Sequence, residues 1–146
     1  MDDYLHIKQG TKFEDYPHES MRPALESTHS VIIYQEQVMQ ISRDLAGFTM
    51  AEADQLRKAM GKKDPVMMAK ERDKWVDGCL STSGMEQAVS GPLFDQIEKF
   101  AGYAFNLSHS VEYSVISYWS MYTKVYYPAA FYAAALTVLG EDKRAA

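Results

Sequence analysis

Apolar residues recur along most of this chain at spacings of three and four, the signature of helices that bury one face. From Gln35 onward Val38, Ile41 and Leu45 carry that period, and Gly47 stands where a left-handed C-terminal cap belongs, so one helix is expected there. Thr49-Met50-Ala51-Glu52 is a capping box, in which hydroxyl and carboxylate satisfy first-turn N–H groups. It opens a second helix with Ala53, Leu56 and Met60 inward and its end at Gly61. Asp64-Pro65 supplies an N-cap and a first-turn proline for a third helix, whose inner face carries Met68, Arg72, Trp75, Val76 and Cys79. Ser83-Gly84-Met85-Glu86 reads as another capping box, followed by a helix that Gly91-Pro92 breaks and that Phe94, Ile97 and Phe100-Ala101 resume. Asn106 or Ser108 then caps a helix with Val111, Val115, Tyr118-Trp119, Tyr122 and Val125 as its buried stripe. Pro128 opens a last short helix that ends at Gly140.

The first 25 residues hold no sustained period and are expected to be extended or loop structure. Val31-Ile32-Ile33-Tyr34 is a short β-branched and aromatic run that its neighbours favour as the entry to the following helix. The predicted architecture is therefore mainly α: an irregular N-terminal segment over 1–25, a compact multi-helix domain over 26–140 and a tail over 141–146. No fixed-period repeat or low-complexity stretch marks an internal linker.

Composition narrows the class. At 146 residues, with 47% hydrophobic and 24% charged positions, the chain suits one globular domain with its own core and is too apolar for a disordered tail. Its longest apolar stretch, Pro128 to Leu139, is short of the roughly 20 residues that span a bilayer, so no membrane partner is expected. The start, Met1-Asp2-Asp3-Tyr4, lacks the basic flank and apolar run of a secretion signal, and Cys79 is the lone cysteine; both point to the cytoplasm.

The net charge of −5 argues against coating nucleic acid by bulk positive charge, but the charge is uneven. Between Arg57 and Lys74 seven cations, Arg57, Lys58, Lys62, Lys63, Lys70, Arg72 and Lys74, face three acids, Asp64, Glu71 and Asp73. In Leu56-Arg57-Lys58-Ala59-Met60-Gly61-Lys62-Lys63 a planar fork and compact point charges together suit a polyphosphate. The plainer reading is a solvated helix end whose cations complement the C-terminal dipole. Phe105-Asn106-Leu107-Ser108-His109-Ser110 precedes a helix whose N–H groups attract anions, and Asn, Ser and His add donors; here the plainer reading is capping alone. His6, His18, His29, His109 and Cys79 show no metal-ligand spacing, so no zinc site is expected. There is no phosphate-binding loop or dinucleotide fingerprint. Tyr34, Tyr118, Trp119, Tyr122, Tyr126 and Tyr127 can stack on bases, but their helical spacing places them in the core.

Three blocks carry a resemblance: Val31-Ile32-Ile33-Tyr34-Gln35-Glu36-Gln37-Val38-Met39, Ala53-Asp54-Gln55-Leu56-Arg57-Lys58-Ala59-Met60-Gly61-Lys62-Lys63, and Lys99-Phe100-Ala101-Gly102-Tyr103-Ala104-Phe105-Asn106-Leu107-Ser108-His109-Ser110. In residues, order and spacing they resemble the C-family replicative DNA polymerases of bacteria, the alpha subunit of DNA polymerase III. The likeness continues through Tyr113, Ser117-Tyr118, Lys124 and Tyr127-Pro128-Ala129. In that family the segment lies in the fingers, a mostly helical subdomain that closes over the incoming nucleotide.

The resemblance implies that Arg57 and Lys58 meet the triphosphate of a deoxynucleoside triphosphate, with Lys62 and Lys63 supporting the field, and that Asn106, Ser108, His109 and Ser110 line the nucleotide pocket. Lys58 replaces the usual Arg and loses a bidentate fork; Leu107 replaces the usual Lys, and Glu112 stands where small residues are typical. No catalytic or metal-ligating residue is assigned to this chain. Polymerase chemistry needs palm carboxylates that hold two magnesium ions, and no such paired Asp motif occurs here, so Mg2+ is expected only through the palm and the bound nucleotide. The expected partners are the deoxynucleoside triphosphate, primer-template DNA and the remainder of the alpha subunit, and the lone chain is expected to be inactive. A bacterial or phage split-gene piece fits this reading. The alternative is a free-standing, non-catalytic helical interaction module derived from the polymerase, which Leu107 and Glu112 motivate.

Overall fold

The periodic segments fold as their local chemistry dictates. The computed structural model describes residues 2–62, 65–101 and 105–140. Their helices are α1 (Asp2–Lys8), α2 (Arg22–Leu25), α3 (Gln35–Ala46), α4 (Met50–Lys62), α5 (Pro65–Ser83), α6 (Gln87–Ala101), α7 (Leu107–Tyr126) and α8 (Pro128–Leu139), with single 3-10 turns before and after α2. The chain is mainly α, and it divides into two compact units, Met1–Asn106 and Leu107–Ala146.

In the first unit α3 ends at Gly47 in the left-handed conformation, φ 67°, whose N–H bonds the carbonyl of Arg43. The capping box forms: the Thr49 N–H donates to Glu52 Oε2 at 2.8 Å, and the Glu52 N–H donates to Thr49 Oγ1 at 3.3 Å. α5 packs along α3 and α6 packs along α5, and α4 closes the bundle. The core they enclose contains Leu25, Val38, Ile41, Leu45, Leu56, Trp75, Cys79, Phe94 and Ile97, all with 2% exposure or less. Trp75 sits at its centre with its ring 6.2 Å from Phe48 and 5.9 Å from Phe94. A Cβ placed on Gly78 would overlap the carbonyl of Ala46, so glycine is what lets α5 approach the end of α3. Two ion pairs lock the outside: Lys74 to Glu52 at 2.5 Å between α5 and α4, and Arg72 to Asp95 at 3.0 Å between α5 and α6.

Three local expectations are corrected. The first 25 residues are not all extended or loop: α1 forms, with Asp2 and Asp3 in its first turn and Lys8 in its last, each complementing the helix dipole. Val31–Tyr34 leads directly into α3, as expected, with Tyr34 as its N-cap residue. His29 and Ser30 both have positive φ, 53° and 62°, which stops helical continuation. Gln37 Oε1 then accepts the N–H groups of Ile33 and Tyr34, and Tyr34 pairs with Phe105 in an isolated parallel bridge. Ser83 does not cap α6. It is the last residue of α5, its Oγ donates to the Cys79 carbonyl, and Gly84 at φ 71° turns the chain. Finally, Pro92 lies inside α6 and does not end it, because Ser90 and Leu93-Phe94 on either side are buried and hold both halves in one helix.

The second unit is a helical hairpin in which α7 and α8 pack against each other. Pro128 occupies the first turn of α8, where its missing N–H costs nothing, and the Tyr127 N–H continues to the Thr123 carbonyl at 2.8 Å. The expected buried stripe of α7 is absent: none of its residues is buried, and Tyr118 and Trp119 are 67% and 63% exposed. The physical reason is geometric. Exposed apolar side chains stand all round α7, with Tyr113, Ile116 and Met121 besides Val111, Val115, Tyr118, Trp119, Tyr122 and Val125, whereas α8 meets only one side of the helix. On that surface Tyr118, Tyr122 and Tyr126 form a ladder with ring centroids 6.4 and 4.6 Å apart.

Candidate nucleotide-binding site

Helical spacing sets the cation site of the first unit. Arg57 and Lys58 follow Asp54 on α4 by three and four residues, so all three side chains share one side of the helix. The guanidinium donates to Asp54 Oδ1 through Nε at 3.0 Å and Nη2 at 2.8 Å, while Lys58 Nζ lies 2.7 Å from Oδ2. One carboxylate thus bridges both cations, one oxygen to each. The Lys58 ammonium, and after it the Arg57 guanidinium, hold the Asp54 carboxyl below the usual carboxylate range. Side-chain exposures of 35% for Arg57 and 61% for Lys58 leave both within reach of a solute.

Arg57 has a second tether. Its Nη1 donates to Gln35 Oε1 at 3.4 Å, and the Gln35 backbone N–H donates to the Phe105 carbonyl at 3.0 Å. The Phe105 N–H in turn donates to the Ile33 carbonyl at 3.3 Å. Gln37 braces the same turn through Nε2, which donates to the Ala24 carbonyl and to Thr28 Oγ1 at 3.0 and 2.7 Å. The first and third sequence blocks are therefore joined by backbone pairing at Tyr34 and Phe105, and Arg57 of the second block is attached to that joint through Gln35. Lys62 is the exposed last residue of α4, where its charge complements the helix C-terminus. Lys63 lies outside the described residues.

Asn106 closes the first unit and immediately precedes α7. Ser108, His109 and Ser110 belong to the first turn of α7 in the second unit. The His109 ring meets the Tyr113 ring edge-on at 4.3 Å, and the Ser110 carbonyl accepts from Ser114 Oγ at 2.7 Å. Ser108 and His109 are exposed and Ser110 is half-buried, so this turn presents hydroxyl and imidazole groups at a helix N-terminus. Glu112 is exposed two residues further along.

Asp54 and Gln35 were missing from the sequence-predicted set. Asp54 was legible in principle, since an acid three and four residues before two cations is a helical ion-pair pattern. Gln35 had no such signal, because its part depends on a contact between α3 and α4.

These features belong to a helical domain with a cation pair on α4, and comparison with known proteins gives its kind. The family profile described as "Bacterial DNA polymerase III alpha subunit finger domain" matches residues 1–83. The chain belongs to that family. DNA polymerase III subunit alpha of Aquifex aeolicus (strain VF5) is 46% identical over 144 residues, covering 99% of this chain and 12% of the relative. The subunit of Pseudomonas aeruginosa (strain PAO1) is 45% identical over 142 residues, 94% of this chain and 12% of its own length. The Escherichia coli (strain K12) subunit shows the same identity and coverage. The chain thus spans about 12% of the curated relatives it matches. Among the described residues no helix is long and apolar enough to cross a membrane.

Proposed function

We propose that this chain is the nucleotide-binding fingers part of a DNA-directed DNA polymerase, receiving the triphosphate of the incoming deoxynucleoside triphosphate opposite the template. The observation that carries the reading is the juxtaposition of Arg57 and Lys58 on α4, bridged by one carboxylate and open to solvent, in a chain of the fingers family. A guanidinium fork and an ammonium side by side bind phosphate oxygens by charge-assisted hydrogen bonds without moving a proton. Their part in phosphoryl transfer is to position and to neutralise. Lys62 and Lys63 add to the field, and Asn106, Ser108, His109 and Ser110 offer further donors at the start of α7.

Among the described residues no group of three or more His, Cys, Asp or Glu side chains lies together. The magnesium ion belongs to the bound nucleotide and to palm carboxylates on the remainder of the alpha subunit, and without them the lone chain is inactive. The exposed apolar surface of α7 supports the same division of labour, since a soluble domain that works alone seldom leaves so many aromatic and β-branched side chains uncovered.

The test is a titration of the chain with a deoxynucleoside triphosphate and magnesium, followed by NMR, beside the double variant Arg57→Ala, Lys58→Ala. Perturbation of the Arg57, Lys58 and His109 signals that disappears in the variant is the expected result. Perturbation that survives it overturns the assignment of the triphosphate to these cations, and no response at millimolar nucleotide favours the free-standing interaction module.

A further inference from the structure

We infer that Asp54 is the resident counter-ion of the Arg57–Lys58 pair, which an incoming polyphosphate replaces, so that this one carboxylate sets the affinity, salt dependence and release rate of the site. The inference rests on the triphosphate reading of these cations and adds to it a residue that controls the exchange.

The geometry is that of an occupied anion site. Asp54 offers Oδ1 to Nε and Nη2 of Arg57 and Oδ2 to Lys58 Nζ, all between 2.7 and 3.0 Å. Two oxygens of one planar acid bridging two cations is the arrangement that two oxygens of a phosphate would take. The carboxylate therefore occupies the edge of the guanidinium that a bidentate phosphate needs, and the two anions compete for it. Exposures of 34% to 61% among the three side chains give solvent, and hence a solute, access to the exchange.

The other edge of Arg57 explains why exchange does not cost the site its shape. Nη1 points to Gln35, which is fixed by its own backbone bond to Phe105. When the phosphate displaces Asp54, Arg57 keeps that tether. When the phosphate leaves, the carboxylate returns and the cations are neutralised again. The pair is then a poor resting place for other anions, and product departure is assisted by an intramolecular competitor. Asp54 has no contact with the reacting atoms on this account; it is a positioning residue.

The plainer account, an ordinary helical ion pair, makes a different prediction. Such a pair orders the cations, so its loss weakens ligand binding or leaves it unchanged. Replacement of a competitor strengthens it. The experiment uses inorganic tripolyphosphate and isothermal titration at several salt concentrations, on the wild-type chain, Asp54→Asn, Asp54→Ala and each of these with Arg57→Ala and Lys58→Ala added. The expected result is tripolyphosphate binding about tenfold tighter in both Asp54 variants at low salt, since a charge only a few ångströms away is removed. The gain should shrink as salt rises, with a steeper fall of affinity against salt than in the wild type. Ligand dissociation, read by NMR exchange, should slow in step.

Equal or weaker binding by the Asp54 variants, with binding still abolished by removal of the cations, overturns the counter-ion role and leaves the triphosphate reading standing. Binding that survives removal of the cations overturns the triphosphate reading itself. Absence of binding in the wild type and both Asp54 variants at millimolar ligand overturns both. Asp54 is half-buried and outside the core, and alanine is the best helix former, so thermal melting is expected to change little and separates a binding effect from loss of fold.

Discussion

The two units of this chain use the same helical pattern to opposite ends. In Met1–Asn106 the apolar stripes of α3, α4, α5 and α6 converge, and Trp75, Phe94, Ile41 and Leu45 are fully buried. In Leu107–Ala146 the stripe of α7 is as apolar, and yet Trp119 is 63% exposed. Periodicity states which face of a helix seeks cover. It does not state whether the cover lies within the same chain.

The sharpest way to break that comparison is to truncate one tryptophan in each unit. Trp75→Ala removes the central ring of the core and is expected to cost about 3–5 kcal/mol, including the cavity left between Phe48 and Phe94. Trp119→Ala should change stability by no more than about 0.5 kcal/mol, as surface substitutions do. Urea denaturation of the two variants measures both. Comparable losses would mean that α7 is buried in solution after all.

Gly78→Ala tests how tightly the first unit is packed. Alanine is the better helix former by about 1 kcal/mol, so an open position would gain stability. Here the new Cβ overlaps the Ala46 carbonyl, backbone that cannot swing aside as a side chain can. The expected net result is a loss of about 1–3 kcal/mol as α5 is pushed from α3. A stabilised variant would show that the helices can part at no cost.

What was legible in the sequence divides along the same line. Gly47, the Thr49–Glu52 box and Pro128 were readable because their chemistry is completed within four residues. The Ser83–Glu86 box has the same letters, and it failed because Gly84 turns the chain between them. Pro92 has the local chemistry of a break, but burial on both sides outweighs the one backbone bond it removes. The Tyr34–Phe105 bridge joins residues far apart in the chain and left no local mark. For the site, Arg57 and Lys58 stood out as adjacent cations, whereas Gln35 acquires its part only when α3 meets α4.

A smaller effect is carried by charge on the outside of the first unit. The Lys74 ammonium, followed by the backbone and side chain of Thr49, holds the Glu52 carboxyl down at about 2, against an ordinary value of 4.5. A carboxyl depressed by folding lends stability above its unfolded value and loses it as pH falls through the folded one. The contribution of Glu52 should therefore be intact at neutral pH and decline between pH 4.5 and about 2. Glu52→Gln should be less stable than the wild type at pH 7, with the difference vanishing near pH 2. A difference that stayed constant down to that pH would assign the effect to the lost cap alone.

The smallest expected effect concerns polar atoms inside the first unit. Ser90 is fully buried on α6, and its Oγ has no hydrogen-bond partner among the described residues; the same holds for Trp75 Nε1 and Glu71 Oε2 on α5. A buried hydroxyl without a partner has given up its hydration for nothing, so its removal recovers desolvation free energy and loses only the dispersion contacts of one oxygen. Ser90→Ala should leave stability within about 0.5 kcal/mol of the wild type or raise it slightly, where most buried truncations destabilise. A loss of about 1 kcal/mol or more, read from the urea midpoint at unchanged slope, would show that Oγ is hydrogen-bonded in solution, with an ordered internal water as the natural partner. The comparison would then gain a further term, because the unit that buries its apolar faces would also be hydrating its interior.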